Sequence, residues 1–200
     1  MNKQIALHSL PELLTKHCLD ERIVMAIRNI YLDGDPILRK KCRPVEKFDE
    51  KLATLIDDMH ETLDKADGAG LAAPQVGICR RLFIMHIDHE DGTQDRVEAI
   101  NPEIIAQSGD QYVLEGCLSI PDKWGYVDRP EKVTLRAYDR EGNVWEREFE
   151  GLGAQCAAHE SAHLEGELFT DIAKEILTPE QLKAMQEEGS GGKRRKKGRR

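Results

Sequence analysis

No apolar run in this chain approaches the ~20 residues that a membrane-spanning helix needs. The N-terminus lacks the apolar core of a secretory signal. Glu12, Asp20 and Glu21 within it argue against an organelle transit peptide. There is no disulfide framework: five cysteines are an odd number, and their positions follow no pairing pattern. No internal repeat is visible. These absences point to a reducing, cytoplasmic compartment and no membrane partner.

What is present suits one domain. The chain has 200 residues, 40% hydrophobic and 33% charged, enough to build a core and remain soluble. The net charge of −8 is unevenly spread. Residues 193–200 read Lys-Arg-Arg-Lys-Lys-Gly-Arg-Arg, so these seven cations leave −15 on the remainder. Such a block reads as disordered and suited to polyanions. Gly189-Ser190-Gly191-Gly192 before it reads as a flexible linker. Residues 1–24 form an N-terminal extension, 25–187 the folded body, and 188–200 the linker and tail. Within the extension, Leu7, Leu10, Leu13 and Leu14 follow helical spacing.

Asp33-Gly34-Asp35-Pro36 signals a turn. Leu52, Leu55, Ile56, Met59 and Leu63 then recur at the spacing of one helix face, predicting an amphipathic helix from Asp49 to about Asp64 that stops near Gly68. Leu82–Ile87 and Val97–Ile100 predict strands, the second closed by Asn101-Pro102. Val133, Leu135 and Ala137 alternate, as do Trp145, Arg147 and Phe149 after a turn, which predicts a hairpin. A helix follows over about Leu152 to Leu164, ended by Gly166, and another starts near Pro179. Strands mixed with a few helices, without regular alternation, say α+β. The expectation is a small mixed single domain, with antiparallel strands packed around the helix after Gly151.

That helix carries His159-Glu160-Ser161-Ala162-His163, an H-E-x-x-H sequence. Residues four apart share one helix face, so both imidazoles can bind one ion, with Glu160 beside it to handle a proton. Three protein ligands and one open position make a catalytic arrangement. The third candidate is Cys117 in Glu115-Gly116-Cys117-Leu118-Ser119. The pentapeptide alone is moderately specific, since Glu and His are common on exposed helices.

Three segments stand together in order: Gly68-Ala69-Gly70-Leu71-Ala72-Ala73-Pro74-Gln75-Val76-Gly77, then E-G-C-L-S, then H-E-x-x-H. In this order the chain resembles the peptide deformylases, from about Ile27 to about Leu182. The resemblance implies that residues 25–187 are a catalytic domain that removes the N-formyl group from the starting methionine of new polypeptides and releases formate. It implies Cys117, His159 and His163 as ligands of one divalent ion, Fe2+ by expectation, with Zn2+, Ni2+ or Co2+ able to substitute. Glu160 would be the general base. Gln75 and the backbone N–H of Leu118 would stabilise the oxyanion. Gly70 and Gly68 would meet the substrate. N-formylmethionyl peptides are the implied partners, and the basic tail suggests ribosomal RNA as another.

The chain departs from the family's pattern at several places. Ala158 and Ala162 stand where the family usually has Gln and Asp. The missing Asp predicts that Arg129 lacks its usual partner. Trp124 replaces a frequent Arg, and Gln155 a frequent apolar pocket residue. Cys156, three residues before His159, is expected in the core rather than at a metal. Cys18, Cys42 and Cys79 follow no pattern. His86 and His89, flanking Asp88, read as an exposed strand end. A general metallopeptidase is the less favoured enzyme, because its third ligand usually lies downstream of H-E-x-x-H. The rival of another class is a catalytically weakened relative acting as a ribosome- or RNA-associated binding module.

Overall fold

A computed structural model describes residues 26–89 and 91–194. The leucine-spaced extension and the end of the basic tail lie outside the described residues. In chain order the elements are α1 (Glu50–Ala66), β1 (Gly70–Ala72), β2 (Leu82–Asp88), β3 (Gln94–Ser108), β4 (Gln111–Cys117), β5 (Ile120–Arg129), β6 (Lys132–Tyr138), β7 (Val144–Glu150), α2 (Leu152–Glu165), α3 (Phe169–Ile172), β8 (Glu175–Leu177) and α4 (Pro179–Arg194). Short 3-10 turns cover Pro36–Arg39 and Ala73–Val76. Two antiparallel sheets result, ordered β1-β2-β3-β6-β7 and β4-β5-β8. The α+β expectation holds. No described helix is long and apolar enough to cross a membrane.

The five-stranded sheet is covered on both faces. Its alternating side chains sort the core into two clusters. Leu71, Leu82, Ile84 and Ile100 pack with Leu52, Leu55, Ile56, Met59 and Leu63 of α1. Ala72, Phe83, Met85, Val133, Leu135 and Ala137 pack with Ala154, Cys156, Ala157 and Leu164 of α2. Burial on both faces explains why β2 reads as a continuous apolar run. The Asp49 side chain caps α1 by accepting the Leu52 N–H at 3.1 Å. Small residues on α2 let that helix lie close to the sheet. Gly166 ends it with φ of +81°, and a Cβ there would lie 2.6 Å from the Arg39 carbonyl oxygen.

Three local expectations change. β3 does not stop at Asn101-Pro102: its pairing with β6 shifts register between Ile100 and Glu103, and the strand continues. Asn101 takes φ of +50°, and its amide holds the Val45 backbone at 2.8 and 2.9 Å. The proline, lacking an N–H, sits where the ladder is skipped, so it bends the strand rather than ending it. His86 is buried, because its β2 position faces α1, where it meets His60 at 2.8 Å; only His89 is exposed. The Gly189–Gly192 stretch, expected as an open linker, continues the helical backbone of α4. Helical hydrogen bonds need no side chains, though each glycine disfavours a helix by about 1 kcal/mol relative to alanine.

The smaller sheet has its own cluster, Leu38, Ile120, Val127, Leu168 and Phe169. β4 runs alongside α2: Leu114 accepts from Gln155, Glu115 meets His159, and Cys117 at the strand's end meets His163 in the last turn of the helix.

Candidate metal centre and cleft

Cys117 ends β4, and Leu118–Ser119 turn the chain into β5, where Cys117 pairs with Ile120. His159 and His163 lie one turn apart on α2, with ring centroids 4.9 Å apart. Cys117 Sγ stands 3.3 Å from His163 Nε2, and the ligand atoms of all three residues fall within 4.8 Å of one another. A tetrahedral ion with bonds of ~2.3 Å to sulfur and ~2.05 Å to nitrogen would hold S and N about 3.6 Å apart, so the trio fits such an ion. Among the described residues this is the group of His, Cys and carboxylate side chains able to hold a metal. Cys156 is not part of it.

Hydrogen bonding and burial act differently on the two imidazoles. Burial alone would lower His159, yet hydrogen bonds with Cys117 and Glu115 hold its imidazole up at about 10. Burial and the nearby charge of His159 push His163 well below its ordinary value, toward the neutral form that ligates.

The His159 ring is oriented from behind. Its Nδ1 lies 2.9 Å from Glu115 Oε2, which leaves Nε2 toward Cys117. Glu115 is in turn gripped by Arg129, with Nε donating at 2.8 Å and Nη2 at 3.0 Å. Burial would raise the Glu115 carboxyl, but the bonds from His159 and Arg129 hold it at about 2. Arg129 is thus not unpartnered. Glu115, from within the E-G-C-L-S motif itself, balances its charge despite Ala162. The sequence reading missed Glu115. A carboxylate two residues from a ligand in an alternating strand was the available signal, but Glu115 pairs with Gly125 and Arg129 with Gln111, so only the reach of the Arg129 side chain along the sheet brings the two together.

Glu160 is 3% exposed rather than solvated, and its Oε2 has no hydrogen-bond partner. Burial pushes the carboxyl up to about 7, against the pull of positive His159. Gly70 makes room for it: a Cβ on Gly70 would lie 2.4 Å from Glu160 Oε1 and 2.7 Å from Cys156 Sγ. Cys156 is a buried core residue whose Sγ lies 3.5 Å from the Ala69 carbonyl oxygen, matching the expectation for it.

Gln75 is locked from both ends. Its Oε1 accepts the Ala72 N–H at 2.8 Å. Its Nε2 reaches Ser119 Oγ at 3.2 Å and Cys117 Sγ at 3.5 Å. The donor therefore faces the trio, and Ser119, which the sequence reading did not single out, helps aim it. A cleft of about 510 Å³ opens over these groups, lined by Gly68, Gly70, Leu118, Trp124, Gln155 and Glu160 among others. Gln155 donates to the Leu114 carbonyl at 3.2 Å.

A thiol, two imidazoles and a buried carboxyl around one point at the bottom of a cleft define a metal-dependent hydrolase. Residues 27–178 match the family model for polypeptide deformylase. The chain belongs to the polypeptide deformylase family. It is 49% identical over 163 residues to the peptide deformylase of Caldanaerobacter subterraneus, covering 82% of this chain and 99% of that protein. A crystal structure of a peptide deformylase from Legionella pneumophila superposes with a TM-score of 0.70 at 40% identity, covering 88% of this chain and all of that one. A Met-Ala-Ser-bound class I type b peptide deformylase from Acinetobacter baumannii is similar at 32% identity and TM-score 0.70, covering 74% and 99%. Nothing in these likenesses supports the binding-module alternative.

Proposed function

We propose that the protein hydrolyses the N-formyl group from the starting methionine of newly made polypeptides in the cytoplasm, giving formate and a free amino terminus. The observation that carries this reading is a buried, unpartnered Glu160 carboxyl beside Cys117, His159 and His163, under an open cleft. A divalent ion held by Cys117, His159 and His163 would lower the pKa of water there and polarise the formyl oxygen. Fe2+ is the expected ion, and Zn2+, Ni2+ or Co2+ suit the same thiolate and imidazole donors. Glu160 takes a proton from the attacking water and passes it to the amine nitrogen as the C–N bond breaks. Its carboxyl, buried and with Oε2 free of any hydrogen-bond partner, is placed to do both. Gln75 Nε2 and the Leu118 backbone N–H donate to the formyl oxygen as it gains charge. Backbone at Gly68 and Gly70, which line the cleft, meets the formyl and peptide groups. Met-Ala-Ser in the Acinetobacter relative supports a methionine-first peptide as ligand. The test is formate release from formyl-Met-Ala-Ser by protein loaded with iron or nickel. Fully loaded protein with no formate release would overturn the reading.

The tail extends this proposal. Residues 193–200 carry seven cations on a body of −15, so they are the part of the chain suited to bind RNA phosphates. Docking on ribosomal RNA would raise the local concentration of emerging substrate. Deleting residues 189–200 should reduce ribosome co-sedimentation, more at low salt than at physiological salt. Equal binding without the tail would refute it.

A further inference from the structure

Two cysteines that the sequence leaves without a pattern come together outside the metal centre. Arg43 and Arg80 form an isolated parallel β-bridge: the Arg43 N–H donates to Cys79 O at 3.4 Å, and the Arg81 N–H donates to Arg43 O at 2.9 Å. Cys42 and Cys79 precede those residues, so they lie side by side on the two bridged segments. In-register parallel neighbours point side chains to the same face, with strands ~4.8 Å apart, inside the ~4.4–6.8 Å Cα window of a disulfide. The packing agrees, since Cys79 packs on the cluster that contains buried Cys42. Cys79 is half-exposed, with Sγ against the Lys41 carbonyl, while Cys42 is 4% exposed.

We infer that Cys42 and Cys79 are a redox-modifiable dithiol that closes to a disulfide by exchange with a low-molecular-weight disulfide such as oxidised glutathione. Exposed Cys79 is the attacking thiol. As a thiolate it attacks one sulfur of the reagent, the reagent's S–S bond breaks, and one reagent thiolate leaves. Cys42 then loses its proton to solvent and attacks the Cys79 sulfur of the mixed disulfide, expelling the second reagent thiolate. The two protein thiols are oxidised by two electrons, and one small disulfide is reduced to two thiols. An exposed attacking thiol with a buried resolving partner is the arrangement of redox-responsive pairs. Burial, and next the adjacent Cys79, push the Cys42 thiol up to about 12, so the second step is the slow one.

The bond would join two parts of the site's scaffold. The Cys42 N–H donates to Leu164 O at 2.8 Å, in the last turn of α2. Cys79 follows the 3-10 turn that carries Gln75. Closure would tie the Gln75 loop to the end of the helix that bears both histidines, across a loop that includes all of α1.

The test uses metal-loaded full-length protein with oxidised glutathione at pH 8, followed by alkylation of free thiols and non-reducing peptide mapping. The expected result is a single-glutathione adduct on Cys79 that converts to a Cys42–Cys79 linked peptide and is reversed by dithiothreitol. The unfolding midpoint should rise by on the order of 5–10 °C on closure. Cys42→Ala should stop at the Cys79 adduct with no rise, and Cys79→Ser should give neither species. The inference is overturned if Cys79 remains unmodified, if it links instead to Cys18, Cys117 or Cys156, or if the adduct never closes in the parent. The parent map needs no variant, so a poorly folded Cys42→Ala protein would not obscure the answer. Formate release plays no part in the readout, so failure here is separable from failure of the proposed activity.

Discussion

Replacing Glu115 with glutamine should weaken both the fold and the metal centre, by separable amounts. The Glu115 side chain is 2% exposed and that of Arg129 8%. The carboxylate accepts two hydrogen bonds from Arg129, at 2.8 and 3.0 Å, and a third contact from His159 at 2.9 Å. Glutamine keeps the shape but removes the charge, and it turns an NH2 toward groups that are themselves donors. A buried guanidinium left without its counter-charge typically costs about 3–5 kcal/mol. For a chain of this size that corresponds to a midpoint lower by roughly 6–20 °C. The loss of the acceptor behind His159 should also free that ring to rotate, reducing metal affinity by about 10–100-fold. Thermal unfolding of the chelator-treated protein reads the first effect without contribution from bound metal. Competition against a chelator of known affinity reads the second. Metal affinity equal to the parent's, alongside a lowered midpoint, would show that packing alone orients His159. An unchanged midpoint would show that the buried pair contributes nothing net.

Glu160→Gln should retain metal and fold while losing about 10²–10⁴-fold in deformylation rate, followed as formate release; a parent-like rate would remove Glu160 as the proton carrier. Gly70→Ala places a Cβ 2.4 Å from Glu160 Oε1, so the carboxyl or β1 must move. Deformylation should fall at least tenfold with metal content unchanged, and full activity in Gly70→Ala would show that the slot is looser than its geometry. Against the burial that would raise it, hydrogen bonds from His60 and Arg140 hold Glu98 at about 2. A carboxyl depressed in the folded state contributes stability at neutral pH that is lost as pH falls from about 4.5 toward 2, here on the order of 2–3 kcal/mol. Urea midpoints of the parent and Glu98→Gln should therefore differ at pH 7 and converge near pH 2; a constant difference would refute the linkage.

Features set by near neighbours were legible in the sequence. The 3.6-residue period put Leu52, Leu55, Ile56, Met59 and Leu63 on one face of α1, and His159 and His163 on one face of α2. The two-residue period marked the β6–β7 hairpin, and the order of three short motifs pointed to the family. Features that depend on strand register and on packing between distant segments were not legible. Nothing local says that Cys117, 46 residues before His163, stands 3.3 Å from it. The same holds for the Arg129–Glu115–His159 chain, in which Glu115 partners Arg129 although position 162 is alanine. His86 looks like an exposed strand end until α1 covers it, and Asn101-Pro102 reads as a stop until Val45 pairs with its amide. Cys42 and Cys79 have no pattern in the sequence because only the bridge between Arg43 and Arg80 makes them neighbours. Periodicity fixes which face a residue occupies, but the partner on that face is chosen by how helices and sheets pack, and the chemistry of this site depends on that choice.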